Sequence, residues 1–190
     1  MSCRPPKPRK RPEVLTQVDL RRAGDADIEE IAELTNWAYR GTGEVASWTV
    51  ESYLEGLRTT PETLRADIAA NPDARLLTWR GEAGELLGHF WLEPPADGAT
   101  WYLGLLSVRP DRQDQKLGRR LLAAGEDFAR ARGATRLQMT VINVRDTLIA
   151  WYQRRGYALT GEVRPFPYGD DRFGRPRRDD LSFVVLEKAL

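Results

Sequence analysis

The most informative stretch of the sequence is a short polar turn over residues 109–116, which connects an apolar run over 100–108 to an amphipathic helical pattern. The first N–H groups of a helix have no intrahelical partners and the helix dipole is positive there, so this position favours a bound anion. Four basic side chains surround the turn: Arg112, Lys116, Arg119 and Arg120. The pattern predicts a pyrophosphate site, with a capped surface helix carrying solvated basic residues as the alternative.

The turn also resembles a known motif. Val108-Arg-Pro110, Gln113 and Gly118-Arg119 give the pattern V-R-P-x-x-Q-x-x-x-x-G-R, which is similar to the acetyl-CoA-binding motif of the GNAT acetyltransferase superfamily. The resemblance implies that acetyl-CoA contacts the loop residues Gln113, Asp114, Gln115, Lys116, Leu117, Gly118 and Arg119. Lys116 stands where the family usually has a glycine, and Asp114 stands where another is common. As the first residue of a helix, Lys116 is expected to need no left-handed backbone.

A second resemblance lies downstream. Tyr152-Gln-Arg-Arg-Gly156-Tyr157 is similar to the family pattern Tyr-x-x-x-Gly-Phe/Tyr, and it follows the first motif at the family's spacing. Arg145 occupies a position that often holds Asn in the family, and Asn143 is the substitute candidate for its cofactor contact. The resemblance extends over residues 18–190, and Thr160-Gly-Glu to Pro165-Phe-Pro resembles one bacterial group of the superfamily.

The resemblance implies a mechanism of direct transfer. In the GNAT fold two neighbouring strands splay apart, and the pantetheine arm of the cofactor lies in the gap. Backbone groups of Leu106, Ser107 and Val108 would then bind the pantetheine amides and polarise the thioester carbonyl. Tyr152 would contact the cofactor and act as the acid for the departing thiolate; the alternative is that Tyr152 packs in the core beside Trp151.

The general base is left open by the sequence. The strand over 100–108 carries no acidic residue where many relatives have a Glu. Glu93 at the end of the preceding strand and Glu51 on a second helix near the acceptor are the two catalytic candidates. His89 is a third, although a single His on an apolar strand is also a typical core residue. A water chain without a dedicated base is the fourth.

Two loops are expected to cover the acceptor, residues 41–51 and 166–180. They carry the following acidic and aromatic residues: Glu44, Trp48, Glu51, Tyr168, Asp170, Asp171, Asp179 and Asp180. Acids beside aromatic rings suit an ammonium-bearing small molecule or a Lys side chain. The alternative is that these are solvated loop charges balanced by Arg172, Arg175, Arg177 and Arg178.

These residues are positioned by elements that periodicity predicts. The expected order is β-α-α-α-β-β-β-α-β-α-β-β, with strands over 18–22, 75–80, 85–92, 100–108, 136–142, 157–163 and 181–187. Helices are expected over 25–39, 48–58, 61–70, 116–132 and 146–155. The pattern indicates a mixed α/β fold of the GNAT type, in which a central, largely antiparallel sheet is flanked by helices. One domain over residues 17–190 would follow a disordered, basic, Pro-rich tail over 1–16.

Composition narrows the function classes. The chain has 190 residues, 30% of them charged and 41% hydrophobic, and a formal net charge of +1. Neither nucleic acid nor an anionic membrane is therefore an expected partner of the main body. Cys3 and His89 are the single members of their residue types, which excludes a disulfide framework and a His/Cys zinc site. No apolar run is long enough to span a membrane, so a cytoplasmic location and no metal are expected.

These observations predict an acetyl-CoA-dependent N-acetyltransferase whose acceptor is a primary amine of a small molecule or peptide. One alternative is a catalytically silent acyl-CoA-binding or regulatory module, which the substitution at Lys116 and the missing strand carboxylate motivate. Another is a nucleic-acid-associated protein that uses the basic tail. Both a monomer and a homodimer are compatible with the sequence.

Overall fold

The computed structural model describes residues 18–95 and 99–190, and the predicted basic tail lies outside them. Nine strands are present in this part of the chain. They are β1 (Leu20–Arg22), β2 (Leu54–Glu55), β3 (Arg75–Arg80), β4 (Leu86–Glu93), β5 (Thr100–Val108), β6 (Arg136–Ile142), β7 (Ala158–Pro165), β8 (Arg175–Pro176) and β9 (Ser182–Ala189). Seven of them form one sheet in the order β1-β3-β4-β5-β6-β9-β7, and β2 pairs with β8.

All neighbours in the large sheet are antiparallel except β5 and β6. This parallel pair is joined only at its first three positions, from Thr100 opposite Arg136 to Tyr102 opposite Gln138. Beyond Tyr102 the two strands separate, which opens a gap in the middle of the sheet. The predicted mixed α/β architecture, with a mostly antiparallel sheet flanked by helices, is confirmed.

Among the described residues, four α-helices flank the sheet: α1 (Ile28–Arg40), α2 (Pro61–Ala70), α3 (Leu117–Arg130) and α4 (Asp146–Gln153). Helix α2 begins as its sequence predicts, because Thr60 accepts a hydrogen bond from the Thr63 N–H and Pro61 needs no donor at the first position. Within the described part of the chain, every helix is too short or too polar to cross a bilayer.

The core is divided between the two faces of the sheet. Ile28, Ile31 and Leu64 from α1 and α2 pack on one face, against Leu76 and Trp91. On the other face, α3 and α4 pack against the side chains that alternate with these, among them Leu77, Trp79, Phe90 and Leu103. Gly125 lets α3 approach closely, since a Cβ there would lie 3.1 Å from Phe90. Helices α1 and α3 therefore lie on opposite faces of the sheet, and both contact β5.

The prediction of a helix over residues 48–58 is wrong. This segment consists of turns that lead into β2, where Leu54 and Glu55 pair with Pro176 and Arg175. The expected element order therefore has one helix too many. The cause is tertiary, because the Glu51 N–H donates to the Tyr39 carbonyl and the Glu51 carboxylate binds two arginines of other elements. Local periodicity carries no information on such partners.

Candidate active site

The strand–turn–helix that is predicted to bind an anion at the start of α3 is present, with one unexpected feature. After β5 a 3-10 turn over Pro110–Gln115 leads to Lys116, and α3 begins at Leu117. Lys116 has φ of +57° and is left-handed, so the expectation that this position needs no positive φ is wrong. A left-handed non-glycine residue costs about 1–2 kcal/mol. The N–H groups of the first turn of α3 face no helix carbonyl, as at any helix start.

A cleft of about 320 Å3 opens at this helix end, and we call it the helix-end cleft. Eight residues predicted to contact the cofactor line it: Leu106, Ser107, Val108, Lys116, Leu117, Gly118, Arg119 and Tyr152. Arg145 and Arg155 add two further positive charges, and no acidic side chain of the described residues lines this cleft. Burial and the neighbouring Arg119 and Arg154 lower the pKa of Arg155. This concentration of positive charge favours the binding of a multiply charged anion.

Aromatic residues form the outer wall of the helix-end cleft. The ring centres of Trp48 and Trp151 lie 6.4 Å apart, and the Arg155 guanidinium stacks 3.4 Å from the Trp151 ring centre. Trp48 is expected in a loop over the acceptor, but in the structure it lines the helix-end cleft. Arg155 belongs to the second motif and Trp151 directly precedes it, but periodicity indicates only a helix here and does not predict that they form a cleft wall.

Of the predicted loop residues, Gln115 is exposed and does not line the cleft. The side chains of Gln113 and Asp114 lie outside the described part of the structure, so their predicted contacts stay predictions. Asn143, the predicted substitute contact, lines neither the helix-end cleft nor its neighbour. Its amide donates to the Asp180 carbonyl at 2.9 Å and accepts from the Ser182 N–H at 3.0 Å, which ties the end of β6 to the start of β9.

A second cleft, of about 390 Å3, lies where β5 and β6 have separated, and we call it the strand cleft. Residues 102–106 of β5 and 139–142 of β6 form its sides. Leu105 has φ of +52° next to the register shift between β4 and β5, so the strand is irregular at this point. Five residues line both clefts and define their junction: Tyr39, Leu106, Arg145, Leu148 and Tyr152.

Tyr152 projects from α4 to this junction and is 6% exposed. Its ring packs edge-on against Trp151 and Tyr157, so both the cleft and the core positions foreseen for it apply. The hydroxyl makes no hydrogen bond to another described residue. Burial, together with the neighbouring Tyr39, raises the pKa of Tyr152 above the ordinary tyrosine value, and the hydroxyl therefore stays protonated at neutral pH.

Glu51 is held by a buried ion-pair triad beside the junction. One carboxylate oxygen accepts from Arg40 Nη1 at 2.5 Å and the other from Arg145 Nη1 at 2.9 Å. The three side chains are only 4%, 5% and 10% exposed, for Glu51, Arg40 and Arg145. Arg145 Nη2 also donates to the Thr49 carbonyl at 2.7 Å. Glu51 is therefore neither on a helix nor free to accept a proton without breaking an ion pair.

The other candidate bases lie away from the junction. Glu93 lines a groove beside the strand cleft but neither cleft itself, and its carboxylate accepts from Trp91 Nε1 at 3.2 Å. His89 is fully buried, and its Nε2 lies 3.0 Å from the Thr35 hydroxyl. Burial lowers the pKa of His89 to about 3. Of the described acidic residues, Glu51 and Asp170 line the strand cleft, and Glu51 pairs with the junction residue Arg145.

The strand cleft is more basic than the loop sequences suggest. Among the acids of the two predicted loops only Glu51 and Asp170 line it, whereas four arginines do: Arg58, Arg145, Arg164 and Arg172. Tyr168 is used elsewhere, since its hydroxyl accepts from the Leu181 N–H at 2.7 Å. Three phenylalanines, Phe166, Phe173 and Phe183, form an aromatic wall whose ring centres are 5.5–6.4 Å apart. The expected acidic acceptor site is therefore not what the geometry provides.

Comparison with known proteins supports the resemblance. The model of the family described as "Acetyltransferase (GNAT) family" matches residues 42–157. An "IAA acetyltransferase" of Azospirillum brasilense is 35% identical over 103 residues, which are 54% of this chain and 65% of that protein. The chain thus spans just under two thirds of the length of this relative.

Solved structures share the fold. A nourseothricin acetyltransferase superimposes with a TM-score of 0.62 at 23% identity, covering 92% of this chain and 99% of that one. A GNAT family acetyltransferase from Elizabethkingia anophelis, solved with acetyl-CoA bound, superimposes with a TM-score of 0.52 at 19% identity, over 66% of this chain and 83% of that one.

Proposed function

The chain belongs to the GNAT acetyltransferase family, and we propose that it transfers the acetyl group of acetyl-CoA directly to a primary amine of a small molecule or peptide. The observation that carries the proposal is the meeting of two clefts at Tyr152, one cationic at a helix start and one lying between separated strands. If the phosphates of acetyl-CoA lie in the first cleft, its pantetheine enters the gap between β5 and β6 at the junction. An acceptor in the remainder of the second cleft would then meet the thioester there.

The helix-end cleft fits the phosphates and pantetheine of acetyl-CoA. Its donors are the first-turn N–H groups of α3 and the cations of Lys116, Arg119 and Arg155. Beyond Tyr102 the β5 backbone has no partner on the β6 side, so peptide groups of Leu106 to Val108 are available to pantetheine amides. When bound, acetyl-CoA supplies an activated acetyl group as a thioester, and the family uses this donor.

In the transfer, the amine nitrogen forms a bond to the acetyl carbon, the carbon–sulfur bond breaks, and one proton passes from nitrogen to solvent. We infer that Tyr152 donates a hydrogen bond or its proton to the departing sulfur, and in the second case solvent returns a proton to the tyrosine. Its raised pKa keeps the hydroxyl protonated at neutral pH but lies above the pKa of a thiol, so it favours a hydrogen bond to the sulfur over full proton transfer. The pKa of a thiol is about 8.5, so the sulfur needs only brief assistance.

We infer that no carboxylate acts as the general base. Glu51 serves instead as a structural counter-ion for Arg40 and Arg145. The strand cleft is lined by four arginines and two acids, and this surplus of positive charge disfavours an ammonium and so lowers the pKa of a bound amine. A larger neutral fraction of the amine can then attack without a dedicated base, and water accepts the proton.

The cofactor site is tested with a matched pair at Gly118. A Cβ at this position would make ordinary contacts, 3.6 Å from Trp151 and 3.9 Å from Val108, so Gly118→Ala should bind acetyl-CoA nearly as the wild type does. Gly118→Trp should fill the cleft and reduce the affinity at least about tenfold, which corresponds to about 1.4 kcal/mol. Calorimetric titration decides, and intact affinity in the Trp variant would place the cofactor elsewhere.

The transfer itself is tested by thiol release from acetyl-CoA with panels of amino acids, polyamines, aminoglycosides and peptide amines. Release that depends on one class of amine supports the proposal. Stoichiometric acetyl-CoA binding without release for any amine would favour an acyl-CoA-binding or regulatory module in its place.

A further inference from the structure

We propose that the acceptor is an amino acid or a similar amino carboxylate with an apolar side chain, and that Arg58 binds its carboxylate. This inference rests on the proposed acetyl transfer and specifies its second substrate. It is carried by the charge, the walls and the position of the strand cleft.

Arg58 is an uncommitted cation in the strand cleft. Its side chain is half-buried, and no carboxylate of the described residues lies within 4.0 Å of it. The guanidinium lies instead 5.6 Å from the ring centre of Tyr39 and 5.4 Å from that of Phe173. Aromatic faces hold the guanidinium plane but leave its N–H donors free, and such a fork matches a carboxylate in geometry.

The other arginines of the cleft are already paired. Arg145 binds Glu51, Arg164 binds Glu162 at 2.7 Å, and Arg172 binds Asp170 at 2.9 Å. Glu51 also neutralises only one of its two arginines, because Arg40 shares it. The lining thus carries four arginines against two acids, a surplus of positive charge. An ammonium without an accompanying anion would be repelled from this lining, whereas an amino carboxylate brings its own counter-charge.

The position of Arg58 is fixed by the backbone. Its N–H donates to the Asn36 side-chain oxygen at 2.6 Å, and the Asn36 amide donates to the Thr59 carbonyl at 2.9 Å. Asn36 belongs to α1 and is buried, so the base of the Arg58 side chain is held by a rigid element. A preorganised cation loses less freedom on binding than a mobile surface arginine.

Arg58 lies beside the junction of the two clefts. Tyr39 lines the junction, and the Arg58 guanidinium lies 5.6 Å from the centre of its ring. An acceptor that binds Arg58 through a carboxylate and presents its amine at the junction extends alongside this single ring, which suits an amino carboxylate. Phe166 and Phe183, beside the ring of Phe173 that Arg58 contacts, offer an apolar surface to the acceptor's side chain.

The test measures thiol release with matched pairs that differ only in the carboxylate. L-Phenylalanine is compared with phenethylamine, and L-methionine with 3-(methylthio)propylamine. The wild type should prefer the amino acid of each pair by about tenfold to a hundredfold in kcat/KM, the range of one charged hydrogen-bonding partner. Arg58→Gln should bring this ratio close to one, and Arg58→Lys should restore part of it.

Arg177→Gln is the matched control, since Arg177 is an exposed arginine that is already paired with Glu55 and lines neither cleft. Its preference ratio should equal that of the wild type. Equal or faster turnover of the amines that lack a carboxylate overturns the inference, as does a ratio that Arg58→Gln leaves unchanged. Rapid turnover of spermidine with no amino acid accepted would overturn it while leaving the proposed transfer intact.

A binding measurement separates failure of the inference from failure of the proposed transfer. N-Acetyl-L-phenylalanine is titrated calorimetrically into the protein saturated with CoA. Binding that weakens at least about tenfold in Arg58→Gln supports the anion site even if no amine in the panel releases thiol. Absence of binding, or equal binding by both proteins, overturns the inference.

Discussion

The helix-end cleft and the strand cleft meet at Tyr152, yet they are built in different ways. Two short stretches on either side of one turn, 106–108 and 116–119, form the helix-start side of the first, and residues of 38–39, 47–49 and 145–155 complete it. The second draws on α1, the loop after β2, both separated strands and the segment from Arg164 to Phe173. A binding site formed by one contiguous motif can be recognised from the sequence alone. A cleft assembled from distant segments depends on contacts that no local sequence pattern predicts.

The two regions also differ in how their charges are used. In the helix-end cleft the cations of Lys116 and Arg119 have no ion-pair partner among the described residues, which suits a large anion. In the strand cleft most arginines are paired internally, and Arg58 stands out. A family shares its donor but not its acceptor, so the variable region is expected to be the one assembled from long-range contacts.

The largest effect is expected from breaking the triad that walls the strand cleft. Glu51→Gln keeps the shape of the side chain but leaves Arg40 and Arg145 buried without a counter-ion. Removing one partner of a buried ion pair lowers the free energy of unfolding by about 3–5 kcal/mol. Urea denaturation measures this, with Glu55→Gln as a control, because the exposed pair of Glu55 with Arg177 contributes at most about 1 kcal/mol.

The opposite result for Glu51→Gln would contradict this account of the strand cleft. A Glu51→Gln protein with wild-type stability but no turnover would mark Glu51 as the general base. The strand cleft would then hold the catalytic carboxylate that the sequence suggests, and its ion pairs would be secondary.

The junction between the two clefts should respond next most strongly. Tyr152→Phe removes the hydroxyl and leaves the ring, so kcat should fall about a hundredfold, the lower range for a general acid and about 2.7 kcal/mol. Acetyl-CoA affinity should stay within about twofold. Tyr157→Phe is the control, since its hydroxyl donates to Glu126 at 3.1 Å in the core and lines neither cleft. Equal turnover in both variants would remove Tyr152 from the chemistry.

Particular residues show how far the sequence predicts this molecule. The strand–turn–helix from Thr100 to Arg130 is predicted almost to the residue, because alternation, turn residues and a 3.6-residue period all lie within it. Glu51 is misplaced on a helix because its partners Arg40 and Arg145 are 11 and 94 positions away. Asn143 is predicted to face the cofactor but binds Asp180 and Ser182, a contact that depends on how β6 and β9 pair.

A smaller, pH-dependent effect on stability is expected from His89, which is buried on β4 beside β5. His89 lies opposite Ser107, and its folded pKa is about 3 against an ordinary value of 6.5. Because the folded state favours the neutral imidazole, the contribution of His89 to the free energy of unfolding is fully present above pH ~6.5 and is lost as the pH falls towards 3. Between pH 7 and pH 5 the free energy of unfolding should fall by about 2 kcal/mol more than in His89→Gln. Parallel curves for the two proteins would show that His89 is charged or exposed.

Lys116 provides the smallest and most specific test, because it lies in the cleft that the sequence predicts best and is the one position there whose backbone was wrongly expected. Lys116→Gly and Lys116→Ala both remove the charge, so both should weaken acetyl-CoA binding to the same extent. They differ in the backbone, since only glycine adopts a φ of +57° without strain.

In an ordinary helical position Gly is about 1 kcal/mol less stable than Ala. At Lys116 the order should be reversed, with the Gly variant more stable than the Ala variant by about 1 kcal/mol in urea denaturation, because the left-handed penalty of alanine exceeds the entropy cost of glycine. If alanine is the more stable variant, position 116 begins the helix in the right-handed conformation, and the helix-end cleft then follows its sequence pattern at every described position. If glycine is the more stable variant, the native lysine occupies a strained left-handed position. A lysine charge kept at this loop despite the strain supports a direct contact between Lys116 and the phosphates.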